Sequence, residues 1–208
     1  MKRIIYIAIA CFSLFAINCQ KEISFTKSTT SKDPVNAILQ GNVVDENGNP
    51  AQGVNITEGA KTAVTDPKGY FRIRNASLDK SASLVTAEKP GYFKAFRVFS
   101  ASAAVNHVKI KLLKKTLTGS LNASGGGVIS LSNGSSITFS ANSFSKASGG
   151  NYSGSVNVYA SFIDPTSQDI GETIPGSFLA DDKDNKRVIL ASYGMMAVIL
   201  ESTSAEKA

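Results

Sequence analysis

Four groups of residues have types and spacing that could do chemistry: the cysteines Cys11 and Cys19, the lone histidine His107, the acidic run Asp181-Asp182-Lys183-Asp184-Asn185, and the triplet Gly125-Gly126-Gly127. A thiol can act as a nucleophile, a disulfide half or an acylation site. A histidine can be a general base only beside a nucleophile it can reach. Here the alternation of Val105 to Lys111 puts His107 on the same strand face as Lys109 and Lys111, toward solvent. One histidine cannot supply a His-His-Glu catalytic zinc set. The acidic run has no Gly for a sharp bend and has Lys186 in a ligand slot, so it reads as a solvated turn rather than a calcium loop. No Lys-Ser/Thr pair follows the glycines, so they are no phosphate loop. The expectation is therefore no catalytic residue, no metal site and no cofactor.

That leaves the cysteines. Met1-Lys2-Arg3 precedes an apolar run from Ile4 to Ile17. A short positive region before such a run marks a secretory leader. The run is shorter than the roughly 20 residues a membrane span needs. Cys11 would leave with the leader. Cys19 closes the run, and no second cysteine remains in the mature chain to pair with it. An odd exported cysteine needs its own chemistry.

The stretch Leu14-Phe15-Ala16-Ile17-Asn18-Cys19 resembles a bacterial lipobox, with Asn18 where Gly, Ala or Ser is usual. That resemblance implies cleavage after residue 18, a diacylglyceryl group on the Cys19 thiol and an acylated new amine. Each buried methylene contributes about 0.8 kcal/mol, so several acyl chains hold a soluble head at a membrane without a transmembrane helix. Gln20-Lys21-Glu22 resembles the Bacteroidota-type lipoprotein export signal, with Ile23 where a second acidic residue is usual. It implies an address on the outer face of the outer membrane.

These residues need elements to carry them. Residues 20–36 are rich in Ser, Thr and Lys, contain Pro34 and lack hydrophobic periodicity, which reads as a flexible tether. From Ala37 to Lys115 the pattern is strand and turn: Ala37 to Val44, Val54 to Thr57, Phe71 to Arg74, Leu84 to Glu88, Phe93 to Phe99 and Val105 to Leu113. Asn47-Gly48 and Asp66-Pro67-Lys68-Gly69 supply turns, with Asp45 and Asp66 capping local backbone. Short strands at this spacing predict a β-sandwich.

Gly41-x-Val43-x-Asp45-x-x-Gly48-x-Pro50-x-x-Gly53-Val54, then Thr65-Asp66-x-x-Gly69-x-Phe71, Lys89-x-Gly91-Tyr92 and Val108-x-Ile110-x-Leu112 together resemble the carboxypeptidase regulatory-like domain. The resemblance implies a prealbumin-like sandwich over 37–115 and an accessory role rather than catalysis. After a boundary at Lys114 to Thr116, residues 116–208 form a second β-rich domain. Its strands are Val128 to Leu131, Ile137 to Phe139 and Val156 to Val158, and Val188 to Leu200 reads as a buried strand pair or one strand bent at Gly194, with a helix as the alternative that its β-branched content and Ser192-Tyr193-Gly194 argue against. Leu131-x-Asn133-Gly134, Asn142-x-Phe144, Ile163-Asp164-Pro165-Thr166 and Tyr193-Gly194-Met195 resemble a repeat that follows regulatory-like domains in large surface lipoproteins. Ala208 falls just after a strand-like run, so this sandwich is expected to be incomplete and the chain a fragment.

The expected organisation is a signal peptide at 1–18, a lipidated cysteine and tether at 19–36, a first sandwich at 37–115 and a second, truncated one at 116–208, all β. The net charge of +6 is scattered through strands rather than gathered in a stripe, so no nucleic-acid partner is expected. Tyr70, Tyr92, Phe93, Phe96 and Tyr152 could stack sugars but are expected mostly in the cores, and no tryptophan is present. The function expected is a non-enzymatic outer-membrane or surface lipoprotein. It would present β-sandwiches for binding or as a spacer, with the membrane as partner through its lipid. The alternatives are a glycan- or peptide-binding accessory protein for nutrient uptake, or the amino-terminal fragment of a surface enzyme.

Overall fold

A computed structural model describes residues 33–203, apart from 147, 175–177 and 185. Cys19, Gln20, Lys21, Glu22 and the leader lie outside the described residues.

The chain is all β. The first unit has seven strands: β1 (Pro34–Val44), β2 (Asn55–Glu58), β3 (Lys61–Val64), β4 (Tyr70–Asp79), β5 (Ser83–Glu88), β6 (Ala95–Phe99) and β7 (Val105–Lys111). They form two sheets, β4-β1-β7 and β3-β2-β5-β6. β1 is antiparallel to β4 and parallel to β7. β1 begins three residues ahead of the expected strand, with Pro34 at its first position, where a missing N–H is tolerated.

Alternation builds the core. Ala37, Leu39 and Val43 point inward from β1, Val108 and Ile110 from β7, and Ile56, Val85 and Ala87 from the opposite sheet. β4 changes phase midway: Phe71 and Ile73 are buried, then Ala76 and Leu78. The cause is a bulge. Ala37 pairs with Ala76 while Leu39 pairs with Ile73, so Arg74 and Asn75 are squeezed against one partner position. Asn75 takes a left-handed φ of 51° to make the turn.

One loop form recurs. The N–H of Asp45 donates to Asn49 O, and the N–H of Asp66 donates to Tyr70 O. In each loop the aspartate Oδ1 accepts two further backbone N–H groups: Asn47 and Asn49 on Asp45, Lys68 and Tyr70 on Asp66. Gly48 and Gly69 sit at the left-handed position each loop requires, with φ of 85° and 71°. Asp182 does the same with the N–H groups of Asp184 and Lys186, so residues 182–184 of the acidic run lie in a turn, whereas Asp181 ends a strand and Asn185 lies outside the described residues.

The second unit has β8 (Leu117–Asn122), β9 (Gly127–Ser130), β10 (Ser136–Phe139), β11 (Ser155–Ile163), the single helical turn α1 (Ile170–Thr173), β12 (Leu179–Asp181), β13 (Arg187–Ile189) and β14 (Met195–Ser202). The sheet β14-β11-β8 and the hairpins β9-β10 and β12-β13 result. A small core joins Ala123, Ile129, Tyr152, Val156 and Val158, with Phe139 stacked on Phe144 at 5.6 Å. The stretch from Val188 to Leu200 is neither a strand pair nor one bent strand. β13 pairs with β12, β14 pairs with β11, and residues 190–194 break the run.

Candidate binding cleft between the sandwiches

The loop after β11 crosses back to the first sandwich. Asp164 opens it by accepting from the N–H and hydroxyl of Thr166, which hold its carboxyl below the usual range. The loop then delivers Asp169 and Glu172 to β7. The Lys111 ammonium donates to the Asp169 carboxylate, which also accepts from the Ser167 hydroxyl. Lys109 pairs with Glu172 at 3.0 Å. Arg97 of β6 donates to the carbonyl of Ile174 at 3.3 Å. Lys115 donates to Glu201 of β14 at 2.6 Å and lies 4.7 Å from the Tyr159 ring centre.

These links shift the groups that make them. The Lys111 hydrogen bond, then that of Ser167, holds the Asp169 carboxyl below the usual carboxylate range. Lys115 does the same for Glu201. Burial lowers the Arg97 guanidinium, and the nearby Glu172 charge opposes it. Burial raises the Tyr92 phenol, assisted by Glu46 and Asp45.

Beside this joint lies a cavity of about 280 Å³. Phe93, Ala95, Phe96 and Leu113 line it from the first sandwich, and Ile163 and Ile199 from the second. Phe93 is buried, whereas Phe96 is 38% exposed. The two lysines at its wall are neutralised: Lys94 by Glu88 at 2.6 Å, Lys111 by Asp169. The result is an apolar, uncharged cleft suited to one apolar group rather than an anion.

The residues singled out in sequence are placed as follows. His107 is exposed on β7, as expected. Lys109 and Lys111 are not a plain solvated face: both are joint residues, and the Lys111 side chain is only 19% exposed. Of the five aromatic residues, Phe93 and Phe96 reach the cleft, Tyr152 is in the second core, and Tyr70 donates its hydroxyl to Gln40. Asp169, Glu172 and Arg97 had no local signal, because their partners are distant in sequence. Among the described residues no group of three or more His, Cys, Asp or Glu side chains could hold a metal ion.

No family model matches this chain, and no curated protein matches it in sequence. Among solved structures, a chain of an interface mutant of a type II cohesin–X–dockerin complex from Acetivibrio cellulolyticus aligns with a TM-score of 0.34 at 17% identity, over 40% of this chain and 61% of that one. A candidate carbohydrate-binding protein from Bacteroides uniformis aligns with a TM-score of 0.31 at 12% identity, over 61% of this chain and 51% of that one. This chain thus spans less than two thirds of the length of either.

Proposed function

We propose that the protein is a non-enzymatic surface lipoprotein that holds two β-sandwiches off the outer membrane and presents the cleft between them for binding. The joint carries the presenting half of this reading. A module meant to display a surface needs its parts held at a fixed angle. The pairs Lys111–Asp169, Lys109–Glu172 and Lys115–Glu201, with the Arg97 bond to Ile174, supply that constraint. The anchoring half rests on Cys19 closing the apolar run with no later cysteine, on Gln20-Lys21-Glu22, and on the resemblance of residues 37–115 to an accessory module. The exposed Phe96 in an uncharged cleft favours capture of an apolar ligand group over a pure spacer role.

Labelling of producing cells with radioactive palmitate tests the anchor. Label on the wild-type protein and none on Cys19→Ser is the expected result, and an unlabelled wild-type protein refutes it. Digestion by protease added to whole cells tests exposure: a surface lipoprotein is cleaved, a periplasmic one is spared.

A further inference from the structure

We propose that the outer face of the β4-β1-β7 sheet binds an acidic polysaccharide, a carboxylated sugar chain laid across the strands along the row Arg72, Gln40 and His107. This goes beyond the function proposed above and depends on neither the cleft nor the anchor.

The strand pairings build the row. Arg72 of β4 stands opposite Gln40 of β1, and Gln40 stands opposite His107 of β7. Their neighbours Leu39, Phe71, Ile73 and Val108 fill the core, so by alternation the row faces away from it. Strands lie about 4.8 Å apart, which puts Arg72 and His107 about 10 Å from one another. Arg74 is exposed two residues beyond Arg72, and the Lys61 ammonium lies 3.0 Å from the Arg74 carbonyl oxygen. From Ile38 to Val44, Tyr70 to Arg74 and Val105 to Lys111 the three strands carry no carboxylate. Among the described residues, neither Arg72 nor Arg74 has an ion-pair partner.

The row presents donors. The Tyr70 hydroxyl donates to Gln40 Oε1, which leaves the Gln40 amide nitrogen to donate to a ligand. Arg72 adds a planar fork that meets a carboxylate with two parallel bonds, and the His107 imidazole adds an N–H. Amide donors set among cations match hydroxyls set among carboxylates, which is the pattern of an acidic sugar chain. One corner of the face already takes carboxylates, because Lys109 and Lys111 hold Glu172 and Asp169. Charge draws no terminal segment onto the rest. Residues 1–32 carry Lys2, Arg3, Lys21, Lys27 and Lys32 against Glu22 alone, and residues 204–208 carry Glu206 with Lys207. A flat anionic membrane is a poorer match. Asp33 and Asp79 stand at one end of these strands, and Asp45 and Asp66 at the other. A chain that crosses the strands at mid-length avoids both ends.

The test is calorimetric titration of the detergent-solubilised full chain with a hexasaccharide of galacturonic acid, with its neutral methyl ester and with hexaglutamate. The acidic hexasaccharide binds and its ester does not. Arg72→Gln combined with Arg74→Gln, both at exposed positions, weakens binding about tenfold or more, the worth of one charge-assisted bond. Lys183→Gln combined with Lys186→Gln removes the same charge from an exposed turn of the second unit and leaves binding unchanged. No binding of the acidic hexasaccharide overturns the proposal. So does equal affinity in the two double variants, which would make any attraction one of net charge alone. Hexaglutamate bound as tightly as the hexasaccharide would make an acidic peptide the occupant and overturns it too. None of these results bears on palmitate labelling.

Discussion

Lys111 and Asp169, 58 residues apart in sequence, form an ion pair that fastens the crossing loop of the second unit to β7 of the first. The lysine side chain is mostly covered, so the pair is less screened than a fully exposed one. Glu172 repeats the contact on Lys109, two residues away on the same strand face.

A double-mutant cycle measures that link. Lys111→Met and Asp169→Asn, singly and together, are expected to show a coupling of about 0.5–1 kcal/mol in urea unfolding. Additive single effects would mean that the pair does not tie the units together.

The same pair sets a pH dependence. In the unfolded chain the Asp169 carboxyl titrates near 3.9, and in the folded chain its value is lowered. The group therefore contributes stability above the unfolded value, and that stability is lost as pH falls through the folded value. Glu201, lowered by Lys115, acts in the same direction. Urea midpoints should fall as pH is taken below about 4, and less steeply in Asp169→Asn.

Thr65 ties two turns of the first sandwich. It is buried, accepts from the N–H of Val54 at 2.9 Å and donates to Ala51 O at 2.6 Å. Thr65→Val keeps the shape and strands both backbone groups. A loss of roughly 1–3 kcal/mol is expected in denaturant unfolding, whereas Thr65→Ser should recover most of it.

Gly41 of β1 sits opposite Val108 of β7, the parallel strand beside it in the same sheet. A Cβ there would lie 2.0 Å from Val108 O and 3.0 Å from the Phe71 ring. The first neighbour is backbone and cannot turn away. Gly41→Ala is expected to cost about 3 kcal/mol, at the upper end of overpacking losses, read as a fall in the thermal midpoint. An unchanged midpoint would show that β1 and β7 can separate freely.

The all-β class and six strands of the first sandwich were legible because alternation and turn chemistry are local. Asp45 and Asp66 announced their loops for the same reason. β4 was read only through Arg74, since the bulge at Asn75 flips the inward phase and hides Ala76 and Leu78 from a period-two pattern. β3 was missed because Lys61 to Val64 shows no buried side. The cleft was only half legible. Phe93 and Phe96 could be suspected from type, but Asp169, Glu172 and β14 follow from pairings that no short window contains. Val188 to Leu200 misled because uniform apolarity cannot say where one strand stops and another begins.

The central claim is the anchor at Cys19, and the mass of the mature amino-terminal peptide from detergent-solubilised membranes tests it most directly. The account predicts a chain that begins at Cys19, with diacylglycerol on the thiol and an acyl chain on the new amine. A mature chain that begins elsewhere, or a Cys19 found as an unmodified thiol, would contradict it.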